Sequence, residues 1–486
     1  MAGFYNNLMH GTKLHRMLST FSKEEFRSFG KFITSPYFNN RTEAVKFYEA
    51  VKSGYPEFSG EKYSNKNLHS FVYKDRRYND ATMRKLCSVM YGLTEEFLIN
   101  RSFAKEPVTR RKFLLKELSR RKMDDIFMRH KELAENYLKN KESDAINYLN
   151  LQELQNVINS NNDNRGIEEE YQKEADHFFN FFIAKSLEIY TLFSNYKYIR
   201  NTAYNHVLFN EIVKHTQNNL EYYRHFPQIR IYFSALMVAL NEKDENFYEL
   251  IKLKDQYINI LDDATKYNLY LTLQIFCVKR NNEGITTFRK IRFQIDNEFL
   301  ARKLYKEREF FSQYFFTTSA LNAIVLGRLD WAEKFMNDFK EGLNPKRSGY
   351  SYNVCLAELL YARKNYEEAL SKLSNITIEY DQGKHIISHL KMKIFYKLGY
   401  YDSAVSLIDT MRHLFRKDKI TPARINESYK LFLRFMLELI KIKSQTYQNT
   451  KERLENLIVK LNTSKGFRNK DWLEDESRKL LLTYKK

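Results

Sequence analysis

Fourteen glycines and six prolines are all that punctuate this chain of 486 residues, against the roughly 12 % that average usage of the two would bring. Sandwiches, barrels and doubly wound sheets reverse the chain often, and tight reversals consume both residue types. Their scarcity predicts an all-α fold of long helices joined by short polar connections. Hydrophobic residues make up 43 % of the chain, enough for an extended core. At roughly 100–200 residues per domain the length suggests two to four units, a limit that a repeat array can stretch because each repeat packs only on its neighbours.

Local signals place the first helices. Ser22-Lys23-Glu24-Glu25 fits a capping box, in which the Ser22 hydroxyl and the Glu25 carboxylate each accept a free backbone N–H. Phe26, Phe29, Phe32 and Ile33 continue one apolar face, and Ser35-Pro36 must end it, since the residue before a proline is pushed out of α geometry. Further helices are expected at 42–52, 65–73 and 80–102, the last capped by Asn79. Residues 1–106 read as a compact helical domain, ending before Glu106-Pro107, and 107–486 as an α-solenoid. Near its end, Thr421-Pro422 has the form of a cap with proline at the first helical position, opening a helix to about Lys443. The pattern Leu18, Glu25, Phe29, Phe32 and Ser35-Pro36-Tyr37-Phe38-Asn39 resembles the opening of a widespread, uncharacterised bacterial family, which implies no activity, cofactor or partner.

The clearest organisation lies at 315–415. Leu359 to Leu370 aligns with Ile394 to Val405 at an offset of 35, and Val325 to Ala332 with Lys397 to Ala404 at 72. Ala332, Ala369 and Ala404 thus recur every 35–37 residues, each early in a second helix, where a small side chain lets two antiparallel backbones approach. With Leu356-Ala357 and Tyr366-x-x-Ala369 at matching places, this spacing resembles the tetratricopeptide repeat, whose period is about 34 residues. The consensus tryptophan and terminal proline are missing, and Lys391 stands where a leucine belongs. The resemblance implies helix hairpins whose first helices line a concave surface for a protein or peptide, with contacts from Asn353, Tyr361 and Tyr396.

The formal charge is +20, which can attract nucleic acid or anionic surfaces. It is spread along the chain, residues 1–110 carrying +7 of it. Arg76, Arg77, Arg84 and Lys85 precede or open the 80–102 helix. Arg110 and Arg111 lie eleven residues from Arg121 and Lys122, close to three helical turns, so they would share the sides of one helix. These residues are the candidate phosphate contacts, with acidic neighbours Asp75, Asp80, Asp124 and Asp125 interspersed and no helix-turn-helix spacing.

Other chemistry is sparse. His385 and His389 share a helical face but have no intervening carboxylate and no third ligand, so two surface or boundary histidines account for them. Glu174-x-x-His177 is one half of a di-iron pattern that must occur twice. No glycine-rich phosphate loop is present, and Cys87 reads as core. The three cysteines form no pairing framework, the N-terminus has no apolar leader, and the most apolar segment, 431–442, is too short to span a bilayer. A cytoplasmic, non-enzymatic scaffold for protein–protein interaction, with no cofactor, metal or membrane partner, is the expectation. The alternative is a nucleic-acid-binding regulator with a basic N-terminal domain and a repeat sensor.

Overall fold

The computed structural model describes residues 12–74, 76–139, 145–160, 167–200, 204–205, 207–241, 243–307, 309–374, 376, 381–417, 423–444 and 449–484. Among them are 23 α-helices and no strand, so the all-α expectation holds. Two compact units divide the chain: residues 1–139 with 153–165, and residues 140–152 with 166–486.

The first unit contains α1 (Lys13–Leu18), α2 (Lys23–Thr34), α3 (Thr42–Val51), α4 (Asn65–Tyr73), α5 (Asp80–Ala104), α6 (Pro107–Arg120) and α7 (Asp124–Lys139), with the second half of α8 (Ala145–Asn159). The capping box forms as read: the Glu25 amide donates to Ser22 Oγ at 3.1 Å and the Ser22 amide to the Glu25 carboxylate at 2.6 Å. That bond, the largest of several contributions, holds the Glu25 carboxyl below its ordinary range. Asn79 caps α5 by accepting from the Thr82 amide. Phe29, Ile33, Phe47, Leu68, Met83 and Leu86 meet in one core. After Pro36 the Asn39 amide group donates back to the Ile33 carbonyl at 2.9 Å and Phe38 stacks on Phe32 at 4.1 Å, so the Ser35–Asn39 pattern is a helix stop.

The second unit holds α9 (Ile167–Arg200), α10 (Phe209–Asn218), α11 (Pro227–Asn241), α12 (Asp244–Tyr257), α13 (Asp263–Asn282), α14 (Thr287–Ala301), α15 (Gln313–Val325), α16 (Leu329–Phe339), α17 (Pro345–Ala362), α18 (Tyr366–Ser374), α19 (Asp381–Leu398), α20 (Tyr401–Lys417), α21 (Ala423–Ser444), α22 (Thr450–Thr463) and α23 (Lys470–Thr483). From α11 onward each odd-numbered helix packs on the even-numbered helix after it, and pairs pack on neighbouring pairs through contacts such as α15 with α17 and α17 with α19. Packing of consecutive helices in neighbouring pairs is compatible with a helical repeat. Thr421 and Pro422 lie outside the described residues; the helix beyond them runs to Ser444.

Three pairs share one turn. The amides of Arg328, Asn365 and Tyr400 reach back five residues to the carbonyls of Ala323, Leu360 and Phe395, each at 2.9 Å. The residue before each is left-handed: Gly327, Lys364 and Gly399, with φ of 73°, 67° and 79°. This is the closing bond of a Schellman turn. Ala332, Ala369 and Ala404 follow as the fourth residue of α16, α18 and α20, all fully buried. A Cβ at Gly399 would meet nothing within 4 Å, so its cost is backbone strain alone. Gly399→Ala is expected to lower stability by about 1 kcal/mol, and Lys364→Gly to raise it by up to about 1 kcal/mol, in urea unfolding. Opposite signs at the two sites are the check.

The row of pairs curves. Side-by-side helices lie about 8–10 Å apart, so four steps from α13 to α21 in a straight row would cover on the order of 40 Å. Yet the segment between α22 and α23 touches both. The Arg468 amide donates to Ser428 Oγ on α21 at 3.0 Å, and a Cβ on Gly466 would stand 1.5 Å from the Glu283 carbonyl oxygen in the α13–α14 turn. Two residues of chain reach only about 7 Å. The pairs must bend round, with residues 464–469 on the inner side.

Candidate functional site

On that inner side α23 lies across the first helices of the last pairs, and two of the three residues expected to contact a partner are beneath it. The Trp472 indole Nε1 donates to the Tyr361 hydroxyl at 2.7 Å. Its ring meets Tyr396 edge-on, with centroids 5.6 Å apart. One helical turn on, Glu476 accepts from Lys397 Nζ at 2.6 Å. Spacing of four residues puts Trp472 and Glu476 on the same side of α23, while Leu473, fully buried, packs into the core with α21 and α22.

Cations and aromatic rings alternate beneath the helix. Lys393 of α19 sits 4.8 Å from the Tyr361 ring centre and 3.3 Å from the Glu358 carboxylate. Lys443 of α21 lies 4.1 Å from the ring centre of Tyr396. Desolvation first, then the charge of Lys397, pulls the Lys443 ammonium below its ordinary range, against the opposing effect of Glu476. Desolvation likewise pushes the Tyr361 and Tyr396 hydroxyls well up, so both are neutral, and Tyr361 is a hydrogen-bond acceptor for the indole. Each such neutral bond contributes about 1 kcal/mol net, and more where one partner is charged. Asn353 is half-buried on α17, two turns before Tyr361 and on the other side of it from Glu358, so the structure does not bring it into this cluster.

Two further contacts fix the approach of α23. Asp471 pairs with Arg289 of α14 at 2.8 Å, and the Asn469 side-chain nitrogen lies 3.2 Å from His389 Nδ1. His389 is buried against Phe432 and Tyr429, and the His385 side chain lies outside the described residues. Among the described residues no group of three His, Cys, Asp or Glu side chains could hold a metal. Glu174 accepts from Gln152 at 3.0 Å. Burial pushes the Cys87 thiol up to about 11, and the side chain packs against the core of the first unit.

Four of the eight candidate phosphate contacts have a partner within the first unit. Arg84 pairs with Asp80, Arg121 with Glu117 at 3.3 Å, and Arg76 lies over the Tyr73 ring. Arg110 donates to the Ala104 carbonyl at 3.4 Å. Arg77 and Lys85 are exposed and Arg111 half-buried. The expected single helix through 110–122 ends at Arg120: Lys122 is left-handed, and the Met123 amide closes a turn on the Leu118 carbonyl. Arg111 and Lys122 therefore do not share a helical face. Asp75 lies outside the described residues.

The sequence carries one signal for the occupied surface: Trp472, one of only two tryptophans, followed four residues later by a glutamate. No helix among the described residues is long and apolar enough to cross a membrane. Compared with known family patterns, curated proteins and solved structures, the chain finds no match.

Proposed function

We propose that this chain is a non-enzymatic scaffold that holds a protein partner on the inner face of its second unit, where α17, α19 and α21 present Tyr361, Lys393, Tyr396, Lys397 and Lys443. The observation that carries the reading is that this face already holds a helix through polar, directional contacts. Aromatic rings with a polar edge and partly desolvated cations are the side chains that dominate protein interfaces. The recurring left-handed turn and buried alanine support a tetratricopeptide-like identity for the pairs α15/α16, α17/α18 and α19/α20. Three cysteines without a disulfide fit a reducing, cytoplasmic setting.

The test uses the full chain carrying a photo-crosslinking phenylalanine analogue in place of Tyr366, whose ring lies 5.4 Å from Tyr361, or in place of the exposed Tyr248 of α12. After nuclease treatment, adducts heavier than the chain are expected from the first position and not from the second. If neither position yields one, and the chain instead binds duplex with affinity falling steeply between about 50 and 200 mM salt, the nucleic-acid reading centred on Arg77 and Lys85 takes its place.

A further inference from the structure

We propose that α23 is an internal stand-in for the partner: the face made by Glu358, Tyr361, Lys393, Tyr396, Lys397 and Lys443 recognises a helix bearing an aromatic N–H or O–H donor and, four residues later, a carboxylate, and such a helix competes with α23 for it. This rests on the scaffold reading above and adds the chemistry of the partner and the means of control.

The two sides of α23 make different kinds of contact. A helix that merely packs on the pair before it needs an apolar face against that pair and a polar face away from it. Leu473 supplies the first requirement, buried in the core shared by α19 to α22, with Trp472, Leu480 and Leu481 packed against that core. Trp472 and Glu476 also make directed polar contacts. They reach past the last pair to α19 and, through Tyr361, to α17, two pairs back in the row.

Charge selects what can sit there. Lys393 has its own carboxylate in Glu358. Lys397 and Lys443 both face Glu476, and Glu476 is almost completely buried beside them. Lys479, on α23 itself, also reaches that carboxylate, at 3.4 Å. Removing α23 takes away the carboxylate and leaves two ammonium groups on an aromatic floor, a surface that favours an incoming acid and disfavours a basic or purely apolar helix. The Tyr361 hydroxyl loses its indole donor in the same step. An incoming helix with an aromatic donor and an acid at i and i+4 restores both contacts from one side.

While α23 is seated, the face is available only in the fraction of molecules where it has lifted. A competing helix therefore binds with an affinity reduced by that fraction.

The experiment measures binding of a fluorescent synthetic peptide spanning residues 468–484 to three full-length chains by anisotropy. Trp472→Ala with Glu476→Gln weakens the internal helix and is expected to bind the peptide at least about tenfold more tightly than the unaltered chain. Adding Lys397→Glu to that variant is expected to abolish the gain, and a peptide with lysine in place of Glu476 is expected to recover it. Equal affinity of the first variant and the unaltered chain, with the variant folded by circular dichroism, overturns the proposal. If the variant does not fold, hydrogen exchange of the unaltered chain decides. The α23 amides are expected to exchange at least about a hundredfold faster than those in the middle of α21, and equal protection makes α23 a fixed part of the fold and ends the idea. Equal peptide affinity with adducts still forming at position 366 removes only this inference, whereas absence of adducts at 366 removes the scaffold reading itself.

Discussion

Replacing Arg292 with methionine should lower the unfolding free energy by about 3–5 kcal/mol, because it strands a buried carboxylate. Arg292 and Asp296 lie one turn apart on α14, their side chains 3 % and 1 % exposed, with Nε 3.4 Å from Oδ2. The guanidinium also donates to Thr318 Oγ1 on α15 at 2.6 Å, and buried Gln274 and Ser319 flank the acid from α13 and α15. Even with its cation present, burial holds the Asp296 carboxyl above its ordinary range, the Arg292 charge opposing that shift. A raised carboxyl pKa means that the native state keeps its proton longer than the unfolded chain does. The associated stability is present below the unfolded value of 3.8 and is lost as pH rises through the native value. Without Arg292 the upward shift grows, so the variant should show a higher urea midpoint at pH 5 than at pH 8, by a wider margin than the unaltered chain. Arg292→Met with Asp296→Leu should recover most of the loss, since a well-packed apolar pair removes the stranded charge. A single variant as stable as the parent at pH 8 would show that water reaches the site and that the pair is not a closed element of the α14–α15 contact.

What the sequence disclosed were the contacts that close within a few residues. Ser22 to Glu25, Asn79 to Thr82 and the three alanines are each decided by neighbours along the chain, and the structure places them as read. Turns without a glycine were harder. Lys364 and Lys122 take left-handed backbone where Gly327 and Gly399 do so elsewhere, and nothing in a run such as Arg120-Arg121-Lys122 announces that a helix stops there. The occupied inner face was legible only in half. Tyr361 and Tyr396 follow from the register of first helices, but their covering helix begins more than a hundred residues after Tyr361. Its arrival depends on the curvature of the row, the sum of many small packing angles, which no local pattern encodes. The Arg292–Asp296 pair was invisible for a related reason: an i, i+4 Arg and Asp on a helix usually marks a solvated face, and only the pairs on either side turn it into a buried one.

The register of the repeat itself can be tested at its smallest residue. Ala369→Trp should lower stability by about 3 kcal/mol or more, at or beyond the upper end of what overpacked cores ordinarily suffer. The Ala369 methyl is fully buried among Val354, Ala357, Leu360, Leu373 and Leu390, side chains drawn from α17, α18 and α19, so an indole there must part three helices at once. Interiors packed at crystal-like density have no room to absorb that volume without shifting backbone. In a thermal scan the change should appear as a fall of about 4 °C or more in the melting of the second unit. Lys364→Ala, five residues earlier, should stay within about 0.5 kcal/mol of the parent, because the lysine is exposed and alanine suits left-handed backbone no better and no worse. The comparison extends to Ala332→Trp and Ala404→Trp. If the three alanines are equivalent positions of one repeat, the three tryptophan variants should cost similar amounts while Lys364→Ala costs almost nothing. A large loss at one alanine with tolerance at the other two would mean that the shared turn recurs without shared packing, and the pairs would then be independent hairpins and not units of a repeat.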